Sequence, residues 1–381
     1  MASRSKNVLI VAGEASGDLH GARLMGEMTR LDGNLTFFGI GGASMGRAGV
    51  ELLEHVDNMA VMGFTEVLGK YPFLRTVYKR VLRECERRNP VRAILIDYPG
   101  FNLTLARRLA GTGIPVTYYI PPQVWAWREK RVKTLKEVVD QILCIFPFEE
   151  RWYGERGVSA TFVGHPLLDQ PEETTSLDAF RHKHRLGAGI IALGLMPGSR
   201  QQEVDRHLPV MARAVRGLAE DGYEVKGVIG RAPGVELGRI EKELFSVEED
   251  RPQLVLRFGT FGLVASGTAT LEGAIFGTPC VVIYRMSAVS WEIGRRLAGV
   301  GWVALPNLIA DEEIFPELLQ REATGKRAAA LLRVWIESSV EKDHMKAKLG
   351  KVREQLGGPG ASRRAARLIL ERLDNGLKVS G

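Results

Sequence analysis

A chain of 381 residues, 45% of them hydrophobic, holds enough apolar material for two ordinary cores, so two domains are expected. Its net charge of +7 favours an anionic partner: phosphorylated substrate, acidic lipid or nucleic acid. Nucleic acid is the weakest of these, since the basic residues are not interleaved with aromatics and no zinc-finger or helix-turn-helix spacing occurs. Cys85, Cys144 and Cys280 lie too far apart for zinc or a disulfide framework, Met1–Asn7 leaves no room for a signal peptide, and no apolar run approaches the roughly 18 residues of a spanning helix. A cytosolic protein, soluble or lying on a membrane, is expected.

Val8–Val11 reads as the first strand, and Gly13-Glu14-Ala15-Ser16-Gly17-Asp18 turns it into a helix from about Gly17 to Thr29. Such a turn aims free backbone N–H groups and a helix N-terminus at whatever sits above the strand, which suits phosphate. Gly13, Glu14, Ser16 and Gly17 are therefore candidates for a cleft loop. Leu35–Ile40, Ala93–Ile96, Val116–Ile120 and Gln141–Phe146 continue the alternation of strand and helix, as in a parallel sheet with crossover helices. Asp97 follows Ala93–Ile96 directly, at the sheet edge that faces ligand in open parallel sheets. It is either a general base for an attacking hydroxyl or a loop aspartate bonding its own turn. Glu14 and Asp18 are competing carboxylates, and His20 reads as an ordinary core or surface histidine.

Within Met62–Leu82, Phe64, Leu68, Tyr71, Leu74, Val77 and Val81 recur at helical spacing, with Gly69 and Pro72 breaking the period, so two short helices are expected. Eight basic and two acidic residues fall between Lys70 and Arg92. The pattern suits a membrane interface or a core-facing helix with a solvated basic side. Pro121-Pro122-Gln123-Val124-Trp125-Ala126-Trp127-Arg128 is an aromatic loop that either lines an acyl or sugar pocket or covers a core edge.

Residues 169–187 read as a linker between a first domain, 1–168, and a second, 188–340. The second series of strands is Ile190–Met196, Glu224–Ile229, Leu254–Phe258, Leu263–Ala265 and Val281–Tyr284. Ile190–Met196 runs into Pro197-Gly198-Ser199-Arg200, where Ser199 fits an N-cap with Gln202 completing a capping box. Arg200 then lies in the first helical turn, placed to grip a pyrophosphate. A second turn, Ser266-Gly267-Thr268, offers hydroxyls and N–H groups to phosphate, with Glu272 placed for ribose hydroxyls. With no Asp-X-Asp pair or His/Asp cluster, no metal and no cofactor are expected. Residues 341–381 form a basic helical tail that packs back on a domain or on a second subunit.

The motifs Val11–Asp18, Gly39–Gly42, Met62–Val67, Ile96–Asn102, Pro121–Trp127, Phe162–Leu167, Pro197–Arg200, Ser266–Glu272 and Leu305–Ala310 resemble those of the lipid-A-disaccharide synthase family, in order, from about residue 7 to 320. The resemblance implies a GT-B fold of two Rossmann-like domains facing across a cleft. It implies transfer of 2,3-diacylglucosamine from its UDP derivative to the 6-hydroxyl of 2,3-diacylglucosamine 1-phosphate, with inversion to a β-1′,6 linkage and release of UDP. It places the protein on the cytoplasmic face of the inner membrane and leaves a homodimer open. On this reading Asp97 is the base, and Gly198, Ser199, Arg200, Ser266, Gly267 and Thr268 hold the pyrophosphate. Glu272 and Asn307 contact ribose and uracil or diphosphate, and Phe64, Leu68 and Leu74 meet the membrane. The alternatives are a UDP-sugar epimerase, a non-lipid UDP-glycosyltransferase, or a non-catalytic UDP-sugar-binding membrane protein.

Overall fold

The computed structural model describes residues 5–59, 64–125, 131–169, 173–287, 291 and 301–379, with backbone alone for 64–69 and 375–379. The chain forms two compact α/β units, Met1–Gln170 with Leu356–Gly381, and Pro171–Gln355.

The first unit is built on seven parallel strands: β1 (Lys6–Ala12), β2 (Leu35–Gly41), β3 (Glu51–His55), β4 (Arg92–Ile96), β5 (Val116–Tyr119), β6 (Gln141–Cys144) and β7 (Ala160–Phe162). Their order is β3-β2-β1-β4-β5-β6-β7. The chain winds outward from β1 in one direction and from β4 in the other, so the β1/β4 boundary is a topological switch point. Ala12 pairs with Ile96 there, which brings the loops after both strands together. The central strands are continuous apolar runs because helices cover both faces. β3 and β7 escape the sequence reading because they are short edge strands without such a run.

The second unit has six parallel strands: β8 (Ile191–Met196), β9 (Val225–Gly230), β10 (Phe245–Glu248), β11 (Phe261–Val264), β12 (Cys280–Tyr284) and β13 (Glu317–Leu319). The order β10-β9-β8-β11-β12-β13 places a second switch point at β8/β11, where Met196 pairs with Val264. Leu254–Phe258, expected as a strand, is instead a short helix, Leu254–Arg257, with Leu254, Val255 and Leu256 all buried. A short, fully buried apolar run carries no period to distinguish the two. The helix sits tight against β8: a Cβ on Gly194 would lie 2.3 Å from the Val255 carbonyl oxygen.

Three further expectations are corrected. Phe64–Arg88 is one helix, not two, and runs through Pro72. Proline removes one backbone bond, while the buried stripe Val77, Val81 and Cys85 holds the helix on the core. Within the expected linker, Leu177–Lys183 is a helix capped by Ser176, and its single anchor, Phe180, is buried in the second unit. One apolar side chain gives no period to read. The tail divides: the helix Ser339–Gln355 buries Leu349 and Val352 in the second unit, and only Ala361–Val379 packs on the first. Asp169 fixes that last helix by accepting from the N–H groups of Gly360, Ala361 and Ser362 at 2.6, 3.0 and 2.7 Å. No described helix is long and apolar enough to cross a membrane.

Candidate functional site

The β8/β11 switch point brings together the two glycine turns that the sequence separates by almost seventy residues. Gly198 and Gly267 adopt φ values of 133° and 132°, a region closed to residues with a Cβ. Gly198 also has no room for one, since an added Cβ would lie 2.6 Å from Glu203 Oε2. Each glycine leads into a helix, Gln201–Glu220 and Thr268–Phe276, so two N-termini open on the same strand ends.

The first of these helices starts one residue later than expected. Arg200 is its N-cap, and Ser199 makes no side-chain cap. Glu203 replaces the Ser199–Gln202 box: its Oε2 accepts from the Ser199 N–H at 3.0 Å, and its Oε1 lies 3.6 Å from Arg200 Nη1. A carboxylate thus covers both the amide and the guanidinium assigned to pyrophosphate. In the second turn, Gly267 and Thr268 are exposed, whereas the Ser266 hydroxyl donates to Val303 O at 2.8 Å. Glu272, one turn into its helix, is pushed up to about 7 by burial and has no hydrogen-bond partner among the described residues.

Asn307, expected at the nucleotide, turns its side chain to its own loop. Its amide donates to Phe315 O and Glu317 Oε1, both at 2.9 Å, and its oxygen accepts from the N–H groups of Ile314 and Phe315. With its hydrogen-bonding capacity spent and its side chain fully buried, it holds a loop. Glu317 completes that clamp by accepting from the N–H groups of Val303 and Ala304, which fixes the carbonyl that Ser266 uses.

Nothing in the sequence but its place on an amphipathic helix marks His207. Fully buried, it accepts from the Arg285 N–H through Nε2 at 2.9 Å. Nδ1 therefore carries the proton and donates to Pro197 O at 2.8 Å. His207 thus ties the Gly198 turn to the end of β12.

In the first unit, Asp97 and the Gly13 turn meet at the β1/β4 switch point. Tyr98 lies flat over Gly13, where a Cβ would come within 2.1 Å of the ring, and its hydroxyl donates to Met59 O at 2.8 Å. Gly17 closes the same turn against Ala12 and Ile96, while Glu14 and Ser16 stay exposed. Burial, and then the Glu14 carboxylate, push Asp97 up to about 6 against the opposing Tyr98 N–H. Asp18 is no competitor. Burial would raise its pKa, but the N–H groups of Met45, Ser44 and Gly42 at 3.0, 2.9 and 2.6 Å hold it below the ordinary value, spending it on a helix cap.

Trp125 covers a core edge rather than lining a pocket. It is 8% exposed and packs on Phe146 and Phe148, with its indole N–H donating at 3.0 Å to the buried Glu149. Trp127 lies outside the described residues. Leu74 does not face outward as a membrane residue should. It packs against the Val77/Val81 stripe on the core, and among the described side chains of that helix the exposed aromatics are Tyr71, at 62%, and Phe73, at 37%. The side chains of Phe64 and Leu68 lie outside the described residues.

The family described as Lipid-A-disaccharide synthetase matches residues 8–371 of this chain. A lipid-A-disaccharide synthase of Syntrophus aciditrophicus is 42% identical over 374 residues, covering 96% of this chain and 97% of its own. One from Myxococcus xanthus is 41% identical over 376 residues, covering 97% and 98%. Among solved structures, the glycotransferase of kitacinnamycin superposes with a TM-score of 0.65 at 18% identity, covering 97% of this chain and 99% of its own. A UDP-GlcNAc 2-epimerase from Neisseria meningitidis, bound to UDP-GlcNAc, superposes with a TM-score of 0.61 at 11% identity, covering 96% and 100%. The structural likenesses establish the two-unit GT-B fold, which transferases and epimerases share, and the sequence match decides between them: the chain belongs to the lipid-A-disaccharide synthase family.

Proposed function

We propose that this chain joins UDP-2,3-diacylglucosamine to 2,3-diacylglucosamine 1-phosphate, giving the β-1′,6-linked disaccharide 1-phosphate and UDP. The observation that carries this reading is the family match over residues 8–371. On this reading each unit contributes its own part of the chemistry. In the second, the N–H groups of the Gly198 and Gly267 turns, with Arg200, stabilise the diphosphate as it leaves, a task that fixed dipoles perform without a metal. The incoming diphosphate takes the Ser199 amide and the Arg200 guanidinium from Glu203. Glu272, partnerless at its turn, accepts from ribose hydroxyls.

In the first unit, Asp97 takes the proton from the acceptor 6-hydroxyl as that oxygen bonds to the donor anomeric carbon and the bond to the diphosphate breaks. One displacement inverts the configuration. A carboxylate held near 6 is a better base than an ordinary aspartate and is still ionised at neutral pH.

The acyl chains of both substrates require access to a bilayer. The helix Phe64–Arg88 supports peripheral contact through Tyr71 and Phe73, flanked by Arg75, Lys79 and Arg83. Purified protein incubated with both lipids should release UDP in step with disaccharide formation. UDP release or epimerisation from the UDP-sugar alone would return the chain to the epimerase reading, and tight binding of the donor with no release would make it a binding protein.

A further inference from the structure

The carboxylate of Asp97 is carried on a strained backbone. Asp97 and Tyr98 are consecutive non-glycine residues in the left-handed region, at φ 45° and 48°, and Ile120, whose carbonyl accepts from the Asp97 N–H at 3.2 Å, stands at φ 59°. A β-branched residue such as Ile120 is a marked outlier in that region, and three left-handed non-glycine residues on two adjacent strand ends persist only where their surroundings over-determine them.

The surroundings that do so are specific. The Asp97 carbonyl accepts from the Tyr118 hydroxyl at 2.7 Å and from Asn102 Nδ2 at 2.8 Å. The same Nδ2 donates to Ile96 O at 3.1 Å, so one amide staples two successive carbonyls. Tyr118 and Asn102 are both fully buried, and burial first, with Asp97 second, raises the Tyr118 pKa well above its ordinary value. The hydroxyl therefore remains a donor at every working pH. Neither side chain is needed in this form for packing alone: phenylalanine would fill the place of Tyr118, and Asn102 Oδ1 finds no partner. What both supply is a donor aimed at one carbonyl.

We propose that Tyr118 and Asn102 are positioning residues that lock the Asp97–Tyr98 backbone in its left-handed conformation and so hold the Asp97 carboxylate over the switch point. Without them the backbone relaxes toward an extended φ and the carboxylate turns away. This rests on Asp97 being the base. Tyr118→Phe keeps the ring in the core and removes the donor. Turnover should fall at least tenfold while KM for both lipids and the affinity for UDP stay within twofold. In the Asp97→Asn background the same substitution should change turnover less than twofold, because no base remains to be positioned.

A role in folding alone would multiply the two losses or raise both KM values, and either result overturns the proposal. If Asp97→Asn lowers turnover and Tyr118→Phe leaves it within twofold, the positioning role fails while the base stands. If Asp97→Asn itself stays within a few-fold of wild type, the base assignment fails first, and the clamp with it. Should Tyr118→Phe not fold, Asn102→Ala, which removes the other donor, is judged by the same criteria.

Discussion

Replacing Asp97 with asparagine should disable the enzyme and stabilise its first unit at the same time. The carboxylate sits at about 6 against an ordinary 3.8, with burial the main cause and Glu14 adding to it. At 1.36 kcal/mol per pKa unit that difference is about 3 kcal/mol. The folded chain binds this proton more tightly than the unfolded chain does. The cost is therefore absent below pH ~4, grows through about 6 and is fully present above it. Asparagine keeps the shape and carries no charge, so it removes the cost. At pH 8 the variant should resist urea by up to about 3 kcal/mol more than wild type in the first unit's transition, and at pH 4 the two should coincide. Turnover should fall by about 10²–10⁴, the scale of a lost general base. Wild-type kcat/KM should decline on the acid side of about pH 6 as the base takes up its proton. A variant less stable than wild type at pH 8 would rule out a buried, ionised Asp97, and one retaining turnover within a few-fold would rule it out as the base.

Arg200→Ala should weaken UDP binding at least tenfold by calorimetry, as expected when a charge-assisted bond of roughly 1.5–3 kcal/mol is lost. Unchanged affinity would return Arg200 to its pairing with Glu203. Gly267→Ala meets no atom within 4 Å, so its penalty is pure backbone strain of about 1–3 kcal/mol; it should lower the second unit's melting transition and UDP affinity without moving the first unit's. The double variant Tyr71→Ser, Phe73→Ser should lose binding to anionic vesicles with no change in Tm, since both side chains are exposed, whereas Leu74→Ser should lower Tm. Wild-type vesicle binding should fall steeply with salt, at about 1 kcal/mol for each basic side chain near the surface. EDTA should leave turnover intact, and loss restored by magnesium would contradict a diphosphate held by backbone and arginine alone.

The parts of this fold that were legible in the sequence are those whose signal is local. Val8–Val11 and Ile190–Met196 are apolar because their strands are buried on both faces, and the glycines after them announce turns. Both turns read as pyrophosphate sites from their residues alone, but the adjacency of β8 and β11 that sets them side by side depends on strand order, which composition does not encode. Neither was the division of the tail, since both of its helices are basic and only burial of Leu349 and Val352 separates them. Asp18, Asp97 and Glu14 looked alike as loop carboxylates. Their surroundings separate them: three amides claim Asp18, and burial raises Asp97. For Asn307 the motif match identifies the residue but not the loop partners of its side chain. Partners such as Glu203 for Ser199 and His207 for Pro197 are set by helix geometry and tertiary packing, and no spacing rule displays them.

The proposed reaction is a single displacement on a UDP-sugar by an acceptor hydroxyl deprotonated at Asp97. It is tested most directly by the anomeric configuration of the product formed from α-linked donor, read from the one-bond carbon–hydrogen coupling at C1′ and compared between wild type and Asp97→Asn. Inversion with Asp97 as base should give a β-1′,6 linkage from wild type, one UDP for each linkage, and almost no product from the variant. An α linkage, or a β product formed as fast without the Asp97 carboxylate, would contradict it.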